Sequence, residues 1–129
     1  MSSSAAPSTQ LQLKKPSGTF DIVPAPTRFI GADEVSIRVK AIALNNLDVK
    51  QRSSGMMISS WPAVLGLEAS GVVEKVGESV KNFSPGDEVC AIAGQGSGQG
   101  AFQDLLIVPA TDVAKKTASL SFEEASLFP

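Results

Sequence analysis

The sequence predicts a mainly β domain, a sandwich or a small barrel with short helices. Three observations carry this. Residues 34–41 alternate strictly, with Val35, Ile37, Val39 and Ala41 on one face and Ser36, Arg38 and Lys40 on the other, the period of a half-buried strand. Further short apolar runs follow, separated by turn signals about every ten residues. The chain has 129 residues, one domain's worth, and a domain of that size buries roughly two thirds of its unfolded surface without disulfides or metal.

Residues 1–17 are rich in Ser, Ala and Gln and show no period, so they are expected to form a disordered N-terminal tail, with the domain over 18–129. The rival, a transit peptide, is weakened by the absence of arginine from this stretch. After the strand over 34–41, Asn45 and Asn46 are N-cap candidates, and Asp48 suits the positive end of a short helix. That helix runs to about Arg52 and is stopped by Ser53, Ser54 and Gly55. A second strand fits 69–76. Pro85-Gly86-Asp87 is a turn feeding a third over 88–93. Beyond a glycine-rich loop, 102–108 and 112–116 read as the fourth and fifth strands. Ser121 followed by Glu124 is a capping box, opening a helix near the end of the sequence.

Composition excludes several functions. Eleven basic against thirteen acidic residues give a net charge of −2, with no basic stripe, so neither nucleic acid nor an anionic membrane is an expected partner. No uncharged apolar run is long enough to cross a bilayer. The single cysteine, Cys90, rules out a disulfide framework and suits the reducing cytoplasm. Histidine and tyrosine are both absent, which removes histidine-based triads, the usual zinc sites and a phenolic proton donor. Carboxylates, amides, hydroxyls or a bound cofactor remain.

Few segments carry chemistry. Gly96, Gly98 and Ala101 match G-x-G-x-x-G/A, but a dinucleotide fingerprint needs a helix next, and 102–108 is strand-like and stopped by Pro109. The segment reads as an inter-strand loop. Cys90, flanked by Val89 and Ala91, reads as a small buried hydrophobe. The pairs Asp33/Glu34, Asp87/Glu88 and Glu123/Glu124 belong to turns and a helix start, and neighbours on a strand cannot converge on one bond. Residues 66–77, GLEASGVVEKVG, combine a buried-acid candidate, Glu68, with a strand and glycines that allow close backbone approach.

That run resembles the G-x-E-x-x-G-x-V-x-x-V-G signature of medium-chain dehydrogenase/reductases, in their N-terminal GroES-like catalytic domain. Other segments agree in order: EVSIRVKA (34–41) resembles the first barrel strand and LNNLDVK (44–50) the A-L-N-P-x-D-x-K element. FSPGDEV (83–89) resembles the F-x-x-G-D-x-V turn, Gly100-Ala101-Phe102 opens the next strand, and LSFEEA (120–125) resembles the helix leading into the cofactor domain. Zinc members of the family carry a Cys after the first strand and a His before the signature Glu. This chain has Asn45 in the first neighbourhood and Leu67 at the second, and so resembles the zinc-independent quinone oxidoreductases and enoyl reductases.

The resemblance implies a partly open GroES-like β-barrel ending at the start of a helix toward a Rossmann domain, which is expected to be absent from this chain. It implies NADPH as cofactor, no zinc, and an enone or quinone as substrate in the complete enzyme, reduced by hydride delivered to a conjugated alkene. Carried over by position, Asn45, Asn46, Leu47 and Asp48 would contact the cofactor, although Asn46 stands where the family has proline; no catalytic residue follows. The chain alone is expected to bind NADPH weakly and to be inactive. The alternative is a non-catalytic binding or assembly module on the same barrel. Leu120, Phe122, Leu127 and Phe128 predict an exposed apolar patch, and with it self-association or pairing with a full-length relative.

Overall fold

The computed structural model of the chain describes residues 8–26, 28–93 and 99–127. These form seven strands in two antiparallel sheets, with two helices, α1 (Asn46–Ser54) and α2 (Phe122–Ala125). β1 (Thr9–Leu13) and β2 (Phe20–Pro24) make a two-stranded sheet. β3 (Glu34–Ala43), β4 (Glu68–Val76), β5 (Glu88–Ile92), β6 (Leu105–Pro109) and β7 (Val113–Lys115) make the other, in the order β6-β3-β4-β5-β7. The barrel is not closed. β2 and β3 are not paired, and between them lies a groove of about 560 Å³ whose walls include Phe20, Ile22, Val39 and Ala41.

The core follows from the alternation. Val35 and Ile37 of β3 meet Ala69 and Val73 of β4, Val89 of β5 and Leu106 of β6, all buried. The strict period breaks twice, at irregularities between Ser36 and Ile37 and between Val39 and Ala41. At the first, the buried Ser36 Oγ accepts the Lys75 N–H at 3.0 Å, so the backbone donor displaced there stays satisfied. Cys90 is buried as expected, and its burial raises the thiol pKa.

The expected tail over 1–17 is corrected. Residues 1–7 lie outside the described ones, but Thr9–Leu13 is a strand and Leu13 is fully buried with Ala63 and Leu65. Its partners are distant in sequence: Leu11 N–H donates to the Phe102 carbonyl, while Leu13 and Ala63 exchange backbone bonds, all at 2.8 Å. The expectation also missed β2. For the same reason the fourth strand starts later than predicted: residues 102–104 are drawn toward β1, and β6 begins at Leu105. A 3₁₀ turn over Ala110–Asp112 likewise shortens the fifth strand.

Asp104 pins the start of β1. Its Oδ2 accepts the Thr9 N–H and the Thr9 hydroxyl, each at 2.9 Å. These bonds, the backbone one first, hold the carboxyl below its ordinary value of 3.8. A group depressed in the folded state stabilises above its unfolded pKa and loses that contribution as pH falls through the folded one, so the anchor contributes fully above about pH 4 and is released only as pH falls through the lower folded value. In an acid titration followed by NMR, the Thr9 amide should move with a midpoint below 3.8; a midpoint at or above it would refute the anchor.

The capping box opens α2 as predicted. The Ser121 N–H donates to Glu124 Oε1 at 2.9 Å, and the Glu124 N–H donates to Ser121 Oγ at 3.1 Å. The Ser70 hydroxyl holds the helix to β4 through the Phe122 carbonyl at 2.5 Å. Lys116 Nζ donates to the Leu120 carbonyl at 2.6 Å, pairs with Glu88 at 3.0 Å and lies 5.3 Å from the centre of the Phe122 ring. The expected apolar patch is therefore reduced: Leu120 and Phe122 are half-buried, Leu127 is 60% exposed, and Phe128 lies outside the described residues.

Candidate functional site at the first turn of helix α1

β3 delivers the chain to the cap of α1. Leu44 is exposed, and Asn45 takes an extended conformation (φ −122°, ψ 158°) as N-cap of the nine-residue helix. Asp48, three residues on, turns back: its Oδ2 accepts the Asn45 N–H at 2.8 Å, while its own N–H bonds to the Asn45 carbonyl at 3.0 Å. The helix ends at Gly55, whose N–H closes on the Gln51 carbonyl at 2.8 Å.

The predicted site residues occupy this turn with different exposures. Asn45 and Leu47 are half-buried, Asn46 is exposed, and Asp48 is only 6% exposed. Asp48 spends one oxygen on the cap. Its other oxygen, Oδ1, is buried with no hydrogen-bond partner among the described residues. A buried carboxylate oxygen left so is costly.

The β3–β4 pairing adds a residue that the sequence flagged but could not place. Ala43 pairs with Glu68, the first residue of β4, which sets Glu68 beside the cap. The Asn45 side-chain amide donates to Glu68 Oε2 at 3.0 Å. The signal was present, since Glu68 is the acid of the 66–77 segment, but its partner lies 23 residues away and follows only from the strand register. Leu67 is half-buried, and its carbonyl takes the Ala93 N–H at 2.8 Å, bringing the end of β5 to the same corner. Of the expected loop over 94–101, residues 94–98, with Gly96 and Gly98 of the near-fingerprint, lie outside the described ones; beyond Ala101 the chain runs into β6 rather than a helix.

Chemically, the corner offers first-turn backbone N–H groups, one amide and two carboxylates. The Asn45 amide, the Glu68 carboxylate and the first-turn N–H groups are the groups there that could hold a polar ligand, whereas Asp48 Oδ1 is enclosed by the protein. The described residues hold no cluster of three or more His, Cys, Asp or Glu that could hold a metal ion. No helix of the described residues is long and apolar enough to cross a membrane.

Comparison with known proteins identifies the family and the fold. Residues 31–118 match the alcohol dehydrogenase GroES-like domain. A trans-enoyl reductase of Aspergillus flavipes is 40% identical over 124 residues, 91% of this chain and 36% of that protein. One from Aspergillus terreus is 40% identical over 126 residues, 91% of this chain and 42% of the relative. Among solved structures, the quinone oxidoreductase of Pseudomonas syringae pv. tomato superposes with a TM-score of 0.83 at 32% identity, over 92% of this chain and 36% of that one. The Escherichia coli quinone oxidoreductase complexed with NADPH does so at 0.79 and 28%, over 94% and 37%. The chain thus spans roughly two fifths or less of the length of these relatives.

Proposed function

The chain belongs to the alcohol dehydrogenase GroES-like domain family, and on that premise we propose that it forms the catalytic-domain part of an NAD(P)H-dependent oxidoreductase acting on a conjugated alkene or a quinone. The observation that carries the reading is the α1 cap, where the strand register sets the Asn45 amide on Glu68 beside the first-turn N–H groups. The names of the relatives, enoyl reductases and quinone oxidoreductases, support the substrate class, and the NADPH complex of one supports the cofactor.

The cofactor supplies the hydride when bound. Asn45, Asn46, Leu47 and Asp48 would hold its nicotinamide end: the first turn would offer backbone N–H groups, Leu47 an apolar contact, and Asp48 would keep the turn in shape through the Asn45 N–H. Asn46, exposed, contributes its backbone. No zinc takes part, because neither Asn45 nor Leu67 is a zinc ligand. With no histidine or tyrosine in 1–129, the proton that completes the reduction comes from water or from a group outside these residues. The barrel offers one wall of a cleft, so residues 1–129 alone bind NADPH weakly and turn over no substrate. The single buried cysteine suits a cytoplasmic protein.

Joining residues 1–129 to the remaining part of the A. flavipes relative tests this. The chimera should oxidise NADPH with an enone or a quinone, and Asn45→Ala should lower kcat/KM by roughly ten- to a hundredfold, the cost of leaving buried polar groups unpaired. A folded, NADPH-binding chimera inactive with every acceptor, or one indifferent to Asn45→Ala, would overturn the reading.

A further inference from the structure

We propose that Lys116 is a positioning residue: its enclosed ammonium fixes the direction in which α2 leaves the barrel, and with it the angle to the cofactor domain that α2 leads into. The second half rests on the reading of the chain as the catalytic-domain part of an oxidoreductase. The side chain of Lys116 is only 4% exposed, and the proposed chemistry makes no use of it. The residue follows β7 directly, and its backbone N–H donates to the Glu88 carbonyl at 2.8 Å, which seats it against β5. An ammonium has three donors and no acceptor. Three oxygens meet it: the Leu120 carbonyl at 2.6 Å, Glu88 Oε1 at 3.0 Å and the Thr117 carbonyl at 3.2 Å. The ring of Phe122, the first residue of α2, has its centre 5.3 Å away. The Thr117 carbonyl also takes the Leu120 N–H at 3.1 Å, so the turn before α2 closes around one cation.

Stability alone does not call for a charge at this place. Desolvating an ammonium is costly, and an apolar side chain of similar volume often serves a buried position as well or better. What the ammonium adds is direction, since three matched donors hold Thr117, Leu120 and Glu88 in one arrangement. The helix has little else to orient it. It is four residues long with Ala125 as its one buried residue, so its path is inherited from the turn before it and from the Ser70 hydroxyl on the Phe122 carbonyl. A small rotation there is carried along the chain to the reacting atoms, where a misplacement of about 1 Å costs up to roughly a hundredfold in rate.

Lys116→Met tests this, because it keeps the length of the side chain and removes the donors. Glu88, whose side chain is half-exposed, is then met by water, so the urea midpoint of the 129-residue chain should move little. Residual dipolar couplings of the N–H bonds of residues 122–125 read the direction of α2 against β3 and β4. In the variant those of α2 should change while those of the two strands stay as they are. In the chimera with the remaining part of the A. flavipes relative, kcat should fall roughly tenfold, with the KM for NADPH changed less than about twofold. Glu88→Ala, which takes one oxygen from the ammonium, is the second variant should the first not fold, with effects of the same sign and smaller size. Unchanged couplings at 122–125 overturn the claim that Lys116 sets the helix. Changed couplings with an unchanged kcat overturn its role in positioning, as does a fall in the urea midpoint as large as that of Leu13→Ala. A wild-type chimera without activity overturns the oxidoreductase reading instead, and the couplings, which need no turnover, then decide what Lys116 does to α2.

Discussion

Deleting residues 1–17 is expected to remove most of the stability of the domain, even though this stretch reads as a dispensable tail. The deletion takes away β1, and with it the strand that joins β2 to the rest of the molecule through residues 63, 102 and 104. It uncovers Ala63 and Leu65, which are buried against Leu13, and leaves Phe20 and Phe102, now stacked edge to face at 6.2 Å, without the strand beside them. Backbone groups at Ala63, Phe102 and Asp104 lose their partners together. A domain of this size has only about 5–15 kcal/mol in hand, so the deleted chain should be largely unfolded at 25 °C. Leu13→Ala isolates the packing share: a fully buried leucine truncated to alanine costs about 2–5 kcal/mol through lost transfer energy and the cavity left behind. Urea denaturation followed by circular dichroism measures both. An unchanged midpoint for either would show that β1 does not carry the second core cluster.

Gly71→Ala should be a severely damaging conservative substitution in the signature segment, with a loss of about 3 kcal/mol or more. Gly71 lies in β4 between Val39 of β3 and Val89 of β5. A Cβ built there would meet the carbonyl of Arg38 and the Cγ2 of Ile37 at distances no carbon tolerates. Because the obstacle is backbone in a paired strand, no rotamer change relieves it; the β3–β4 pairing must shift, disturbing the packing of Val35, Ile37 and Val73. The residue is required for want of room, not for its dihedral angles. Gly86 is the control. Its φ is +96° with nothing within 4 Å of the added Cβ, so Gly86→Ala should cost only about 1 kcal/mol. If the two substitutions prove equally mild in chemical denaturation, the close approach at Gly71 is not what the segment needs.

Much of the domain is local in origin and therefore legible in the chain. The period-two run through Val35 and Ile37 sets β3 and its buried face, because side chains on a strand alternate whatever pairs with it. The Ser121–Glu124 box and the Asn45–Asp48 turn are complete within four residues each, so their residue types sufficed to place both helix starts. Cys90 reads as buried from its apolar neighbours alone, and it is.

What only the tertiary structure decided depends on partners far apart in the chain. Thr9–Leu13 carries alternating glutamines and leucines in a stretch with few strand signals; it is a strand because residues 63, 102 and 104 satisfy its backbone and bury Leu13. The same holds at the candidate site. The sequence offered Asn45, Asp48 and Glu68 separately, but their junction rests on the Ala43–Glu68 pairing, which two irregularities in β3 shift away from a simple register. Whether the second oxygen of Asp48 finds a donor is likewise a question of what surrounds it in space. Local patterns fix where elements start and which face they bury, whereas the satisfaction of each buried polar group is a property of the assembled fold.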